Sequence, residues 1–410
     1  MSNSTKRKAE RGMRKNNKRK CVCACSIIAC LLCATNVCGA GKIIIDPKIY
    51  FGVKNNSNFW KSAQNKASVN TYYVKPGIVF GYVTPKVDIS FDGTLDAFWY
   101  DDQDDQQSGV RAAEDDNYVG ATVESKANFQ VTDRLNLGLK DDFYVTRDPA
   151  RSDGNSNSIA RDKYAINYFE PNMYYEFADK FGLMSKYRNT YTDYEKNLED
   201  SAENRGIFDL FYNLNRSAAV YVDYQVWKRE YDQDSSDYTS NMVSLNYEHQ
   251  FNYYTIKGGG GYHNRTFDSD NIDDLDLFSW KIQLKGQDAD TNRRTTRSYL
   301  ALDVGQEMND DGTGDSYFTA TYLRFEGAYR FFDKLETTVK AAYQNSDYHT
   351  DPRDEDTYYS SLYLGYNIFN YFTLGIEGGF ESRDSNIVGN DYDDLFVMFL
   401  LNVDYSLSSR

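Results

Sequence analysis

Ten basic residues fall on one face of segments that alternate polar and apolar residues: Lys140, Lys186, Arg188, Arg229, Lys257, Lys281, Lys285, Arg324, Arg330 and Lys340. Seven acids fall on the corresponding faces of the first and last segments. They are Asp88, Asp92, Asp96 and Glu124 early, and Glu377, Glu381 and Asp404 late. If the sheet closes, its first and last strands are neighbours. The acids then form one wall and much of the base cluster faces it. Such walls set up a transverse field across a water-filled space, which orients polar solutes and rejects apolar ones. Asp142, Asp209, Asp223 and Glu248 lie among the bases and are their expected counter-ions. Phe98, Tyr221, Trp227, Tyr299, Tyr359 and Tyr363 share the polar faces and could stack on sugar rings. With 36 Tyr and 24 Phe in the chain, interfacial aromatics that reach those positions through a register slip are the simpler account.

Metal and catalytic chemistry are thinner. Asp268, Asp270, Asp273, Asp274 and Asp276, and again Asn309, Asp310, Asp311 and Asp315, offer hard oxygen ligands suited to Ca2+. Neither set has the glycine and terminal glutamate of an EF-hand loop, so solvated acidic loops are expected. Of the 3 His, only His349, beside Asp347 and Asp351, sits where acid–base chemistry would need it. Catalysis is not expected. Gly258–Gly261 lies inside an alternating segment, where small residues relieve crowding, and is not read as a phosphate loop.

The segments that carry these residues are β-strands. From Tyr317 to Phe331 every second residue is aromatic, threonine, leucine or glycine, with Arg324, Glu326 and Arg330 between them. This is a period of two. Asp333-Lys334 turns the chain, and Leu335, Thr337, Val339, Ala341 and Tyr343 alternate with Glu336 and Lys340. Each arm is long enough to cross a bilayer at a tilt. Similar turns recur near Asp133, Asp179, Asn215, Asn252 and Asn370.

Eighteen segments result: 43–53, 71–82, 86–100, 117–130, 134–146, 163–176, 180–194, 205–214, 217–230, 239–251, 254–267, 276–287, 294–306, 316–331, 335–347, 357–369, 372–383 and 394–407. Short and long connections are predicted to alternate without exception, with both termini on the short-turn side. The expected fold is a closed antiparallel transmembrane β-barrel of about eighteen strands, sixteen being the alternative. The loops 101–116 and 147–162 are the candidates for an inward, pore-narrowing segment. At the end of the chain, Tyr405 and Leu407 precede Ser408-Ser409-Arg410, where many outer-membrane barrels finish on an aromatic residue.

Residues 1–40 read as a signal peptide: a basic start, an apolar run and small residues at Cys38-Gly39-Ala40. All 6 Cys lie there, so residues 41–410 hold no disulfide or thiolate site. The leader carries 9 Lys/Arg and 1 Glu, which leaves 37 bases against 60 acids in the barrel domain. Such acidity argues against a nucleic-acid partner. Only 6 Pro occur, as long strands require.

The leader, the Tyr-rich alternation and the repeated turns resemble those of Gram-negative outer-membrane porins, above all the Tyr-rich, acidic major porins of fusobacteria. The resemblance spans 41–410 as a pattern and supplies no site residue by residue. It implies outer-membrane insertion after Sec cleavage, passive diffusion of small hydrophilic solutes and a possible homotrimer. Lipid and lipopolysaccharide would be the surroundings, with divalent ions bridging lipopolysaccharide to the acidic loops. An oligosaccharide- or acid-selective channel and a surface adhesin with acidic loops are the alternative readings.

Overall fold

The computed structural model describes residues 41–103, 112–148, 159, 161–196, 198–232, 237–269, 272–287, 297–310, 317–369 and 371–405. The leader with its six cysteines, Asp270, Asp311, Asp315, Leu407 and the middles of the loops 101–116 and 147–162 lie outside them. Eighteen strands follow in chain order: β1 (Lys42–Asn56), β2 (Val69–Val83), β3 (Val87–Asp102), β4 (Tyr118–Thr132), β5 (Leu135–Thr146) and β6 (Tyr164–Ala178). Next come β7 (Phe181–Tyr194), β8 (Ser201–Asn213), β9 (Ala218–Tyr231), β10 (Tyr238–Gln250), β11 (Tyr254–Phe267) and β12 (Leu275–Gln287). The last six are β13 (Ser298–Asp310), β14 (Tyr317–Phe331), β15 (Leu335–Tyr348), β16 (Asp354–Phe369), β17 (Phe372–Ser385) and β18 (Tyr392–Asp404).

Every strand pairs antiparallel with its chain neighbours, and β18 pairs with β1 from Lys48↔Asp404 to Asn56↔Phe396. The sheet is therefore a closed barrel with no free edge, which removes the exposed backbone groups that lipid cannot solvate.

Directly opposed residues share a face, so one parity can be followed around the whole barrel. The outer face carries Leu395, Val397 and Phe399 on β18, Leu374 and Ile376 on β17, and Leu362 and Leu364 on β16, all exposed. Aromatic side chains crowd both ends of this band: Phe251, Tyr253, Phe331, Phe369 and Tyr371 at the short turns, and Tyr72, Trp99, Tyr262, Phe278 and Tyr358 toward the other rim. Water does not support such a continuous apolar surface on a folded chain; a bilayer with interfacial girdles does.

Two expectations are corrected. β13 begins and ends four positions later than the sequence pattern predicts, at Ser298 and Asp310. Asn309 and Asp310 therefore close a strand and do not lie in a loop. The end of β12 at Gln287 and the start of β13 at Ser298 stand at the rim that otherwise holds short turns, so alternation of short and long links fails there. The β14–β15 turn places Phe332 and Asp333 at φ +53° and +58°. Those are the two left-handed residues that a type I′ hairpin turn needs.

Gly261 on β11 faces inward opposite Ser244, and a Cβ there would run into the carbonyl oxygen of Val243 and the backbone of Ser244. Backbone cannot yield as a side chain can. Gly261→Val is expected to destabilise the folded barrel by about 1–3 kcal/mol through overpacking. Gly258→Val, whose Cβ meets nothing closer than 3.9 Å, should cost far less. Urea midpoints of the two variants in lipid vesicles check the contrast.

Candidate functional site

The inner face holds the charged residues. A cavity of about 1070 Å³ runs along β7–β13 from Asn213–Ala219 at the short-turn rim to Asp310 at the other. Glycine and serine keep its wall open at Gly259 and Ser279.

All ten predicted bases have inward parity. Lys140 reaches Asp142 at 2.6 Å, Arg188 reaches Glu170 at 2.6 Å, Lys257 reaches Glu248 at 2.8 Å and Lys281 reaches Asp303 at 3.3 Å. Arg330 lies 3.5 Å from Glu336. Arg324 stands opposite Asp303 with its guanidinium 4.6 Å from the Tyr322 ring centre. Lys340 is opposed by Glu326 and Lys285 by Ala301. Lys186 lines the cavity.

The seven predicted acids are inward as well, yet they do not make a bare acidic wall. Lys48 and Lys54 on β1 and Lys75 on β2, outside the expected set, share their face. Lys48 is paired with Asp92, and Lys75 lies 3.6 Å from Asp96, which also accepts from Thr94 and Thr122. Glu381 takes Lys61 and the Tyr392 hydroxyl. Glu124 accepts from Tyr144 at 2.9 Å and Asp404 from Tyr50 at 3.2 Å. Asp88 is opposed by Asn128 and Glu377 by Tyr363. Interleaved pairs thus replace opposed walls. The signal was present in β1, where Lys48 and Lys54 alternate with Ile49, Phe51 and Val53.

The mouth at the long-loop rim is narrowed from two sides. On β8–β14, Arg229 forks onto Asp310 with Nη1 at 3.0 and 2.9 Å from the two carboxylate oxygens, and Tyr238 donates to the same carboxylate at 2.8 Å. Arg265, absent from the predicted set, packs 4.1 Å from the Tyr238 ring centre and donates to Ser240 and the Asn309 carbonyl. Arg205, also missed, covers Trp227 at 4.1 Å, and His263 lies against that indole. Asp310 is thus committed to an arginine and a tyrosine. Trp227, 5% exposed, belongs to this packed cluster and to no open aromatic track. Phe98 stacks on Tyr118 at 4.9 Å, Tyr359 on Phe396 at 6.4 Å, Tyr363 covers Gly365 and Gly375, and Tyr299 stands opposite Ala328. Asp268 lies at the surface 3.3 Å from Lys228.

On the opposite side the β1–β2 connection folds into the mouth. Asn58 donates from its backbone to Asp394 and from its side chain to the Asp393 carbonyl. Phe59 packs on the inward Tyr100, Lys61 grips Glu381, and Arg161 lies 3.9 Å over the Phe59 ring while donating to its carbonyl. Arg147 anchors Asp116 at 3.0 Å beside this strap. The sequence pointed to 101–116 and 147–162 as inward segments. Their described ends pack against the strap, which itself comes from 57–68.

His349 donates its backbone to Tyr317 and its Nε2 contacts the Thr319 hydroxyl at 2.8 Å. Burial holds its imidazole below the ordinary range. His249 stacks on Phe251 on the outer face.

The fold is a closed eighteen-stranded antiparallel barrel. Residues 258–405, from β11 through β18, match the family model described as "Putative beta-barrel porin 2". No curated protein matches. Among solved structures the chain is similar to Acinetobacter baumannii OccAB4, with 12% identity, 89% of this chain and 98% of that chain covered, and a TM-score of 0.45. It is similar to Acinetobacter baumannii OccAB2 at 10% identity, 89% and 98% coverage and a TM-score of 0.47. Pseudomonas aeruginosa OpdK, solved with vanillate, gives 11% identity, 88% and 99% coverage and a TM-score of 0.44. These likenesses concern barrel form; strand count and closure stand on the pairing register. None of them is a fusobacterial porin.

Proposed function

We propose that the chain is an outer-membrane porin, a passive diffusion channel for small hydrophilic solutes and ions. The observation that supports this most is the pairing of an apolar outer band with a polar cavity that extends from one rim to the other inside a closed sheet. The acidic outer loops would face lipopolysaccharide, with Ca2+ as a bridging ion, and the barrel would assemble as a homotrimer. The match of β11–β18 to a porin family model agrees with transport.

Planar-bilayer recording of the purified chain under a salt gradient tests the reading. Stable ohmic steps are expected, and silence from a folded barrel overturns it. Arg324 and Arg330 face the lumen with acidic neighbours. Replacing both with glutamate adds negative charge to the conducting surface and should move the reversal potential toward cation preference. An unmoved potential in a conducting double variant would remove those arginines from the path.

A further inference from the structure

Among the described residues, two of the acids expected as counter-ions form no ion pair. Asp209 on β8 and Asp223 on β9 are direct cross-strand partners, so their carboxylates stand side by side, with Cβ atoms about 5 Å apart. Like charges in that position work against strand pairing. Asp209 is only 7% exposed, both residues line the cavity, and among the described residues Oδ1 of each has no hydrogen-bond partner. Gln225 donates to Asp223 at 3.0 Å; among the described residues no hydrogen bond or ion pair holds Asp209.

The surrounding bases are largely spoken for. Lys257 is held by Glu248 at 2.8 Å and Arg205 by Glu203 at 2.9 Å. Lys186 acts on both carboxylates only at a distance. One step toward the short turns, Phe211 and Tyr221 are opposed, with ring centres 4.8 Å apart.

We infer that Asp209 and Asp223 form a subsite for the primary ammonium group of a small solute moving along the cavity, an inference that rests on the diffusion-channel reading. Paired carboxylates only accept hydrogen bonds, and an ammonium brings three donors and the opposite charge. The neighbouring rings accept a cation at their faces. A firmly bound Ca2+ needs six to eight oxygens, and no three His, Cys, Asp or Glu group for a metal among the described residues. Lys186, at a distance, offsets part of that charge, so an ammonium group is held and released, as transit requires.

The test uses the full chain in a planar bilayer in KCl, with 1,4-diaminobutane added to one side. Asp209→Asn/Asp223→Asn should conduct KCl and show block weakened about ten-fold or more, as loss of charge-assisted contacts implies. Asp142→Asn, at a carboxylate already held by Lys140, should be blocked like the original. Equal block in all three overturns the subsite. The faster migration of unheated barrel on gels confirms that each variant is folded. If the original chain is silent, the channel reading fails on its own. Calorimetric titration of the detergent-solubilised barrel with the diamine then decides: binding lost in the double Asn variant supports the subsite, and no binding to the original chain overturns it.

Discussion

Asp310→Ala is expected to destabilise the barrel by about 3–5 kcal/mol, because it leaves the Arg229 guanidinium buried without its counter-charge. The pair is enclosed, with side-chain exposures of 10% and 1%. The mutation also strips Tyr238 of its acceptor, and an unmet buried hydroxyl costs about 1–3 kcal/mol. Asp310→Asn separates the two effects, since its amide oxygen can still accept from Tyr238 while the charge is gone. Replacing the pair together, Arg229→Met with Asp310→Leu, should recover most of the loss, because neither charge then has to be desolvated. Urea unfolding in lipid vesicles, followed through tryptophan fluorescence, reads this at the mouth, where Trp227 packs against His263 at 4.9 Å. A loss under about 1 kcal/mol in Asp310→Ala would mean that water reaches Arg229, as it does in exposed pairs.

The barrel was legible because one physical rule repeats eighteen times: lipid on one face and water on the other force a period of two. The same parity placed Lys257, Lys281, Arg324 and Glu377 inward without any knowledge of their neighbours. Parity gives the face of a residue, however, and not its partner across the sheet. Register decides that Lys48 meets Asp92, that Arg229 crosses to Asp310, and that Asp209 opposes Asp223. Those pairings join positions whose separation in the chain carries no pattern. The inward strap was hidden for a related reason. Asn58, Phe59 and Lys61 look like any polar loop with an aromatic in it, and their anchors at Glu381, Asp393 and Asp394 lie at the far end of the chain. Only closure of β18 onto β1 brings the two ends together.

The strap should be the largest single determinant of conductance. It fills the mouth over β17, β18 and β1–β3, whereas the cavity follows β7–β13; removing it adds cross-section without disturbing the existing path. Phe59 is 2% exposed and packs on Tyr100 with ring centres 5.1 Å apart. Phe59→Ala should cost the packed strap about 3 kcal/mol, roughly a hundred-fold in the population of its open form. Single-channel current should rise, with added fluctuation as the strap comes and goes. Lys61→Glu acts on the other anchor by setting a carboxylate against Glu381, and should raise the current by the same route. The exchange Lys61→Glu with Glu381→Lys restores attraction and should return the current toward its original level. A plain loss of structure would not be rescued that way. Unchanged conductance in both single variants of a folded barrel would place the strap outside the conducting path and leave the β7–β13 wall to carry selectivity alone.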